Sequence, residues 1–72
     1  MSVAKVIEIT ANSNKSFEDA IAQGIARASE TITDIKEAWV QDQKVVVSQG
    51  KITEFRVRMN VTYVLAGAKM TK

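Results

Sequence analysis

Alternation of apolar and polar residues is the strongest pattern in the chain, and it runs through residues 51–65. The odd positions from Phe55 onward are apolar, and the even positions from Glu54 to Thr62 are polar. A period of two residues is typical of a β-strand. An extended segment of this length spans about 50 Å, whereas a compact chain of this size has a radius of gyration of about 11 Å. We therefore predict a strand that coils round another element or projects into a neighbouring subunit.

A second long strand is predicted over residues 35–47, directly before the first. Its alternation changes phase, which we interpret as a β-bulge near Lys44. On this interpretation, the face that carries the tryptophan consists of Trp39, Gln41, Gln43, Val45 and Val47. The residues Ser48-Gln49-Gly50 form a hairpin turn in which glycine supplies a positive φ.

The N-terminal half predicts a short strand and one amphipathic helix. Residues 3–10 form the strand, and residues 11–15 form a polar connector. Ser16 is typical of a helix N-cap, with Asp19 three residues later as a capping-box partner. Apolar residues then repeat every three or four positions, which predicts a helix over about 16–33.

The predicted helix carries a ridge of small residues, Ala20, Gly24 and Ala28, that lets it lie close against a sheet. The order of elements is β-α-β-β, which gives an α+β fold with an antiparallel sheet wrapped around one amphipathic helix. One helix covers one face of the sheet and leaves the other open. We expect the open face to carry Trp39, Gln41, Gln43, Arg56, Arg58 and Asn60.

Length and composition restrict the ways in which this fold is stabilised. The 72 residues form a single domain, with a core at about 3–65 and a flexible tail at 66–72. A domain of this size hides only about 60% of the surface of its unfolded chain. The sequence has no Cys and no His, so disulfides and thiolate or imidazole metal sites are excluded. We predict that subunit association stabilises the fold.

Charge and hydropathy argue against several partners. The net charge of +2 comes from interspersed signs, and Glu37, Asp42 and Glu54 interrupt the basic face, so we expect no nucleic acid. No apolar run approaches twenty residues and no signal-peptide pattern is present, which predicts a cytoplasmic protein without membrane contact. No nucleophile–base set or carboxylate pair is visible, so we expect a binding protein rather than an enzyme.

Five segments of the chain resemble the dodecin family. They are VIEI at 6–9, SFEDA at 16–20, IARA at 25–28, GKITEFRV at 50–57 and VTYVL at 61–65. The resemblance covers nearly everything from Val3 to Leu65. It implies a protomer that assembles as a hollow homododecamer and binds flavins.

The resemblance also implies a site. Flavin-binding dodecins stack isoalloxazine rings in pairs between symmetry-related tryptophans near the start of the second strand, and a glutamine of the third strand hydrogen-bonds the ring edge. Counted without gaps, the tryptophan position falls on Glu37 and the glutamine position on Arg56. Trp39 follows on the same strand face, about 7 Å along. The implied site for FMN or riboflavin thus comprises Trp39, Glu37 and Arg56, with Gln41 and Gln43 as further hydrogen-bonding candidates.

We interpret the function as flavin sequestration, for storage or buffering, because ring stacking quenches the excited flavin and needs no proton-transfer groups. The alternative is a flavin-free dodecameric shell that binds calcium or another small ligand, since some dodecin-like proteins lack the tryptophan and are associated with calcium. The oxygen donors Asp34, Glu37 and Asp42 are scattered and lack the spacing of an EF-hand. Trp39 is equally typical of a subunit contact, and Arg56 of a salt-bridged strand face.

Overall fold

The computed structural model describes residues 3–65 as a three-stranded antiparallel sheet packed on one helix. The elements are β1 (Ala4–Ser13), α1 (Phe17–Ala28), β2 (Ile35–Ser48) and β3 (Lys51–Val64). The last strand is central, because the sheet order is β1-β3-β2. The predicted β-α-β-β order and α+β fold are confirmed. The tail predicted at 66–72 lies outside the described residues.

The alternation in β3 separates the two faces of the sheet. Its odd positions Val57, Met59 and Val61 are buried. Val57 and Met59 form one cluster with Ala20 of α1, which is also fully buried. The core is completed by partly buried residues from β1 and the helix, namely Ile9, Ala11, Phe17, Ile21 and Ile25. The apolar face predicted for this strand is therefore the face that the helix covers.

The helix begins where the sequence predicts. The Ser16 Oγ atom accepts from the Asp19 backbone N–H at 2.9 Å, so Ser16 is the N-cap. The Asp19 carboxylate does not complete the predicted capping box with Ser16. It accepts instead from Ser13 Oγ at 2.6 Å and from Gln23 Nε2 at 2.5 Å. The hydrogen bond from Ser13 is the main reason that the pKa of Asp19 lies below its ordinary value. Asp19 thus joins the end of β1 to the first turn of α1.

The helix ends earlier than predicted, at Ala28 rather than near residue 33. The backbone N–H of Ile32 donates to the Ala28 carbonyl in a turn, at 2.9 Å. Thr31 also donates to that carbonyl through its hydroxyl, at 3.4 Å. Ser and Thr favour such local bonds over continued helix, so the apolar repeat that reaches Ile32 outlasts the helix itself.

Gly24 lies at the point of closest approach between the helix and the sheet. A Cβ atom at this position would lie 2.8 Å from Met59 Cε and 3.0 Å from Ala11 Cβ. The small-residue ridge therefore faces the sheet, as predicted.

The sheet is much longer than the helix that covers it. The described chain measures 56 × 20 × 13 Å with a radius of gyration of 15.0 Å. Pairing of β1 with β3 stops at Ser13 and Phe55, so the tip of the β2–β3 hairpin has only two strands. Both turn residues have positive φ, 53° at Gln49 and 77° at Gly50, as a two-residue type I′ turn requires. The prediction of a strand too long for a compact domain is confirmed.

Candidate ligand-binding face

The face of the sheet opposite α1, called the open face below, is organised in rows that cross all three strands. Residues directly opposite one another on neighbouring strands share a face and lie about 5 Å apart. From the register, three successive rows read Glu8–Asn60–Trp39, Thr10–Arg58–Asp42 and Asn12–Arg56–Lys44, in the order β1, β3, β2.

Trp39 stands on the open face with 49% of its surface exposed. Its cross-strand partner Asn60 donates through Nδ2 to Gln41 Oε1 at 2.9 Å. Glu37 pairs with Thr62, one row further along the same face. The structure therefore brings Trp39, Gln41 and Glu37 together on the open face, in the arrangement that the sequence predicts.

Gln43 lies on the other side of the sheet. The pairing of β2 with β3 shifts at three places, and the shift that decides the facing of Gln43 occurs at Gln41, between Val40 and Asp42, upstream of the bulge predicted near Lys44. Because one extra residue reverses the facing of every residue after it, Gln43 pairs with Val57, which is buried on the helix side. The prediction that Gln43 shares a face with Trp39 is wrong.

The bulge at Gln41 brings two charged residues of β2 to the open face. Asp42 lies opposite Arg58, and Lys44 lies opposite Arg56. Lys44 is the residue that the sequence reasoning missed. The apolar residue Val45 is the feature of the sequence that could have placed Lys44 on the open face. Its pairing with Phe55 requires it to lie on the helix side of β2, and this assignment moves the bulge upstream of Lys44.

Arg56 shares the open face with Trp39 but lies well away from it. The partner of Trp39 is Asn60, four residues along β3 from Arg56, which corresponds to about 13 Å. The Arg56 Nε atom donates to Glu54 Oε1 at 2.8 Å, and Asn12 Nδ2 donates to Glu54 Oε2 at 2.5 Å. Within one chain, Arg56 therefore lies two rows away from Trp39 on the open face.

Arg58 joins the three strands on the open face. Its guanidinium bonds Asp42 on β2 and lies 3.5 Å from Glu8 Oε2 on β1. The hydrogen bond to Asp42, with the charge of the same carboxylate, raises the pKa of Arg58 above its ordinary value. Arg58 is thus engaged by two carboxylates and is a structural crosslink of the sheet.

A groove of about 440 Å³ lies between the second and third rows of the open face. Its lining residues are Thr10, Ala11, Asn12, Asp42, Lys44, Arg56, Val57 and Arg58. Within residues 3–65, Lys44 forms no ion pair. The groove therefore presents an uncompensated ammonium group beside the guanidinium of Arg56.

Metal ligands are not gathered in the described part of the chain. No group of three or more His, Cys, Asp or Glu side chains that could hold a metal ion occurs in residues 3–65. Of the oxygen donors considered from sequence, Asp42 bonds Arg58, while Glu37 lies on the row of Thr62. Over the same residues, no helix combines the length and hydropathy needed to cross a bilayer.

Comparison with known proteins agrees with the fold. A family model described as Dodecin matches residues 3–66. The calcium dodecin of Mycobacterium tuberculosis is 40% identical over 70 residues, which cover 96% of this chain and 97% of the relative. A dodecin structure from Streptomyces davaonensis superimposes with a TM-score of 0.85 at 28% identity, over 89% of this chain and 94% of that one. The structure of the M. tuberculosis calcium dodecin, described as a calcium-chelating antigen with a novel calcium-binding site, superimposes with a TM-score of 0.78 at 37% identity. The superposition covers 89% of this chain and 91% of that one.

Proposed function

Because the chain belongs to the dodecin family, we propose that it binds and sequesters a flavin whose isoalloxazine ring stacks on Trp39. The observation that carries the proposal is the half-exposed indole of Trp39 beside the polar side chains of Asn60 and Gln41 on the open face. An exposed aromatic surface offers stacking worth about 0.5–1.5 kcal/mol beyond area burial. No described group beside it forms a nucleophile–base pair, so the proposed role is retention of the ring and not its chemical conversion.

Hydrogen-bonding groups flank the indole in a way that suits a flavin ring edge. Asn60 and Gln41 already bond one another beside Trp39, and an amide both donates and accepts, as the ring carbonyls and ring N–H require. Glu37, one row further on, adds an acceptor. Arg56 has a different role, because its distance from Trp39 suits the end of a ribityl chain better than the ring.

The proposed assembly is a homododecamer, in which the ring is enclosed between subunits. Apolar side chains remain exposed on β2 and at the hairpin tip, including Val47 at 58% and Ile52 at 54%. Val40 and Val45 lie on the helix side of β2 and are also exposed. Exposed apolar side chains in this number on one hairpin are consistent with a surface for subunit contacts. Sedimentation should give a particle about twelve times the 7.9 kDa chain mass, and a stable monomer would contradict the assembly.

The flavin proposal is tested by fluorescence titration with riboflavin and FMN, after the absorption spectrum of the purified protein. Trp39→Ala should weaken binding by at least about tenfold, because stacking and apolar contact are both lost, and should restore fluorescence of the bound flavin. Trp39→Phe should retain part of the affinity. Gln43→Ala, on the opposite face, is the matched control and should bind as wild type. Absence of saturable binding at tens of micromolar would overturn the proposal.

Calcium is the second candidate, supported by the calcium dodecin that is 40% identical to this chain. Two carboxylates of the open face, Asp42 and Glu8, converge on Arg58, so calcium would have to compete with a guanidinium there or use donors from several subunits. A calcium-dependent rise in melting temperature that is removed by chelator and absent with magnesium would support this function. The same protein titrated with FMN shows whether the two ligands are alternatives.

A further inference from the structure

Two like charges face one another in the groove of the open face. Lys44 and Arg56 are direct cross-strand partners, and both line the groove. Directly opposed like charges on a sheet are destabilising. A cationic pair placed beside a cavity is therefore a feature that the stability of the isolated chain does not explain.

Nearby carboxylates leave this pair only partly compensated. Arg56 bonds Glu54 through Nε alone, so its two terminal nitrogens make no bond within the described residues. Asp42 is the one carboxylate in the lining, and it bonds Arg58. Lys44 has no ion-pair partner in residues 3–65. Free donors and residual positive charge thus meet on one side of the groove.

Neutral donors complete the lining. Asn12 is the β1 partner of Arg56, and Thr10 stands in the adjacent row opposite Arg58. A planar guanidinium fork, a mobile ammonium and a hydroxyl together match the geometry and charge of a phosphate group. A neutral ligand would satisfy these donors less well.

From this arrangement we propose that the groove binds a phosphate monoester through Lys44 and Arg56 and so selects phosphorylated ligands over neutral ones. The proposal rests on the proposed function only for the source of the phosphate. Trp39 lies about 13 Å along the sheet, so a flavin stacked there directs its 5′-phosphate along the open face to the groove. A free phosphate compound is the other source of the same group.

The first test compares FMN with riboflavin on the assembled protein. FMN should bind wild type about tenfold more tightly, as expected for one or two charge-assisted hydrogen bonds. Lys44→Met should remove this preference and leave riboflavin affinity unchanged. Lys51→Met, which removes a lysine outside the groove lining, is the matched control and should retain the preference. Arg56→Gln should weaken FMN binding more than riboflavin binding, because it removes the second cation of the groove.

The second test uses inorganic phosphate and separates the two sources. Saturable broadening of the phosphorus-31 signal supports the groove site if Lys44→Met weakens that broadening. This holds even if neither flavin binds, in which case only the flavin proposal is overturned. A preference for FMN without broadening by free phosphate supports the site with the flavin as its source. The groove site is overturned if FMN and riboflavin bind with equal affinity and, in addition, free phosphate either does not bind or gives broadening that Lys44→Met leaves unchanged. Failure of both flavins and phosphate to bind overturns both proposals.

Discussion

Adjacent residues of β3 supply two surfaces that differ in chemistry and in accessibility. On the covered face, Met59 and Val57 are buried against α1. On the open face, Arg58 and Arg56 are exposed and bonded to carboxylates. Burial of apolar area is the main source of stability, whereas water screens exposed ion pairs and leaves them a small contribution. The covered face therefore supplies most of the stability, and substitutions on the open face should change its chemistry with little effect on folding.

A matched pair of neighbouring substitutions tests whether the two faces contribute differently to stability. Met59→Ala should lower the free energy of unfolding by about 2–5 kcal/mol, because it removes a fully buried side chain and leaves a cavity. Asn60→Ala, on the open face, should change it by about 0.5 kcal/mol or less. Urea unfolding at one fixed protein concentration measures both, since association also contributes to stability. Similar losses for the two variants would show that the faces are not separated in this way.

The contact between α1 and the sheet is tested by adding volume to it. Gly24→Val should cost about 1–3 kcal/mol through overpacking, because its Cβ alone would lie 2.8 Å from Met59 Cε. Valine has a modestly higher helix propensity than glycine, so a loss of stability in Gly24→Val is not a propensity effect. Ala22→Val, at an exposed position of the same helix, places the same side chain outside the interface and should cost only about 0.5 kcal/mol, from the lower helix propensity of valine relative to alanine. A melting temperature of Gly24→Val at or above that of the wild type would place Gly24 outside the interface.

A smaller effect is expected where β1 meets the start of α1, and it depends on pH. The hydrogen bond from Ser13 holds the pKa of Asp19 below its ordinary value. The unfolded value is about 3.9, so the stability that Asp19 contributes is complete above that pH and is lost as pH falls through the lower folded pKa. Ser13→Ala should therefore lower the free energy of unfolding at neutral pH. It should also narrow the difference in the free energy of unfolding between neutral and acidic pH.

Urea unfolding at pH 7 and near pH 3 checks this, with the Asp19 carboxyl pKa followed by carbon-13 NMR. Ser48→Ala, an exposed serine at the end of β2, is the control and should leave the pH dependence unchanged. An Asp19 pKa that stays low in Ser13→Ala would assign the shift to Gln23 or Lys15 instead.

The covered face could be predicted from sequence because burial imposes a period. Apolar residues must recur every second position in β3 and every third or fourth in α1, and the buried residues Val57, Met59 and Ala20 follow these rules. The N-cap at Ser16 was predictable for a similar reason, since its bond to Asp19 is local in sequence. Each of these features is dictated by its nearest neighbours.

The open face could be predicted only in part. Trp39 and Arg56 were assigned to it correctly. The place of the bulge was missed because alternation within β2 allows Val45 on either face, and only its pairing with Phe55 of β3 assigns it to the helix side. An error of three residues, from Gln41 to Lys44, was enough to exchange Gln43 for Lys44 on this face. The helix end was missed because Ile32 continues the apolar repeat in a turn.

The central position of β3 has a consequence for the time at which the fold can form. β1 and β2 do not pair with one another, and each finds its partner only in the strand that comes last in the chain. During synthesis, neither can enter a sheet until β3 has left the ribosome, and Ala4 must then wait for Val64. Such distant pairings slow folding and leave unpaired strands exposed meanwhile. The helix, whose backbone hydrogen bonds are local, is the only element that can begin to form earlier among those the structure describes.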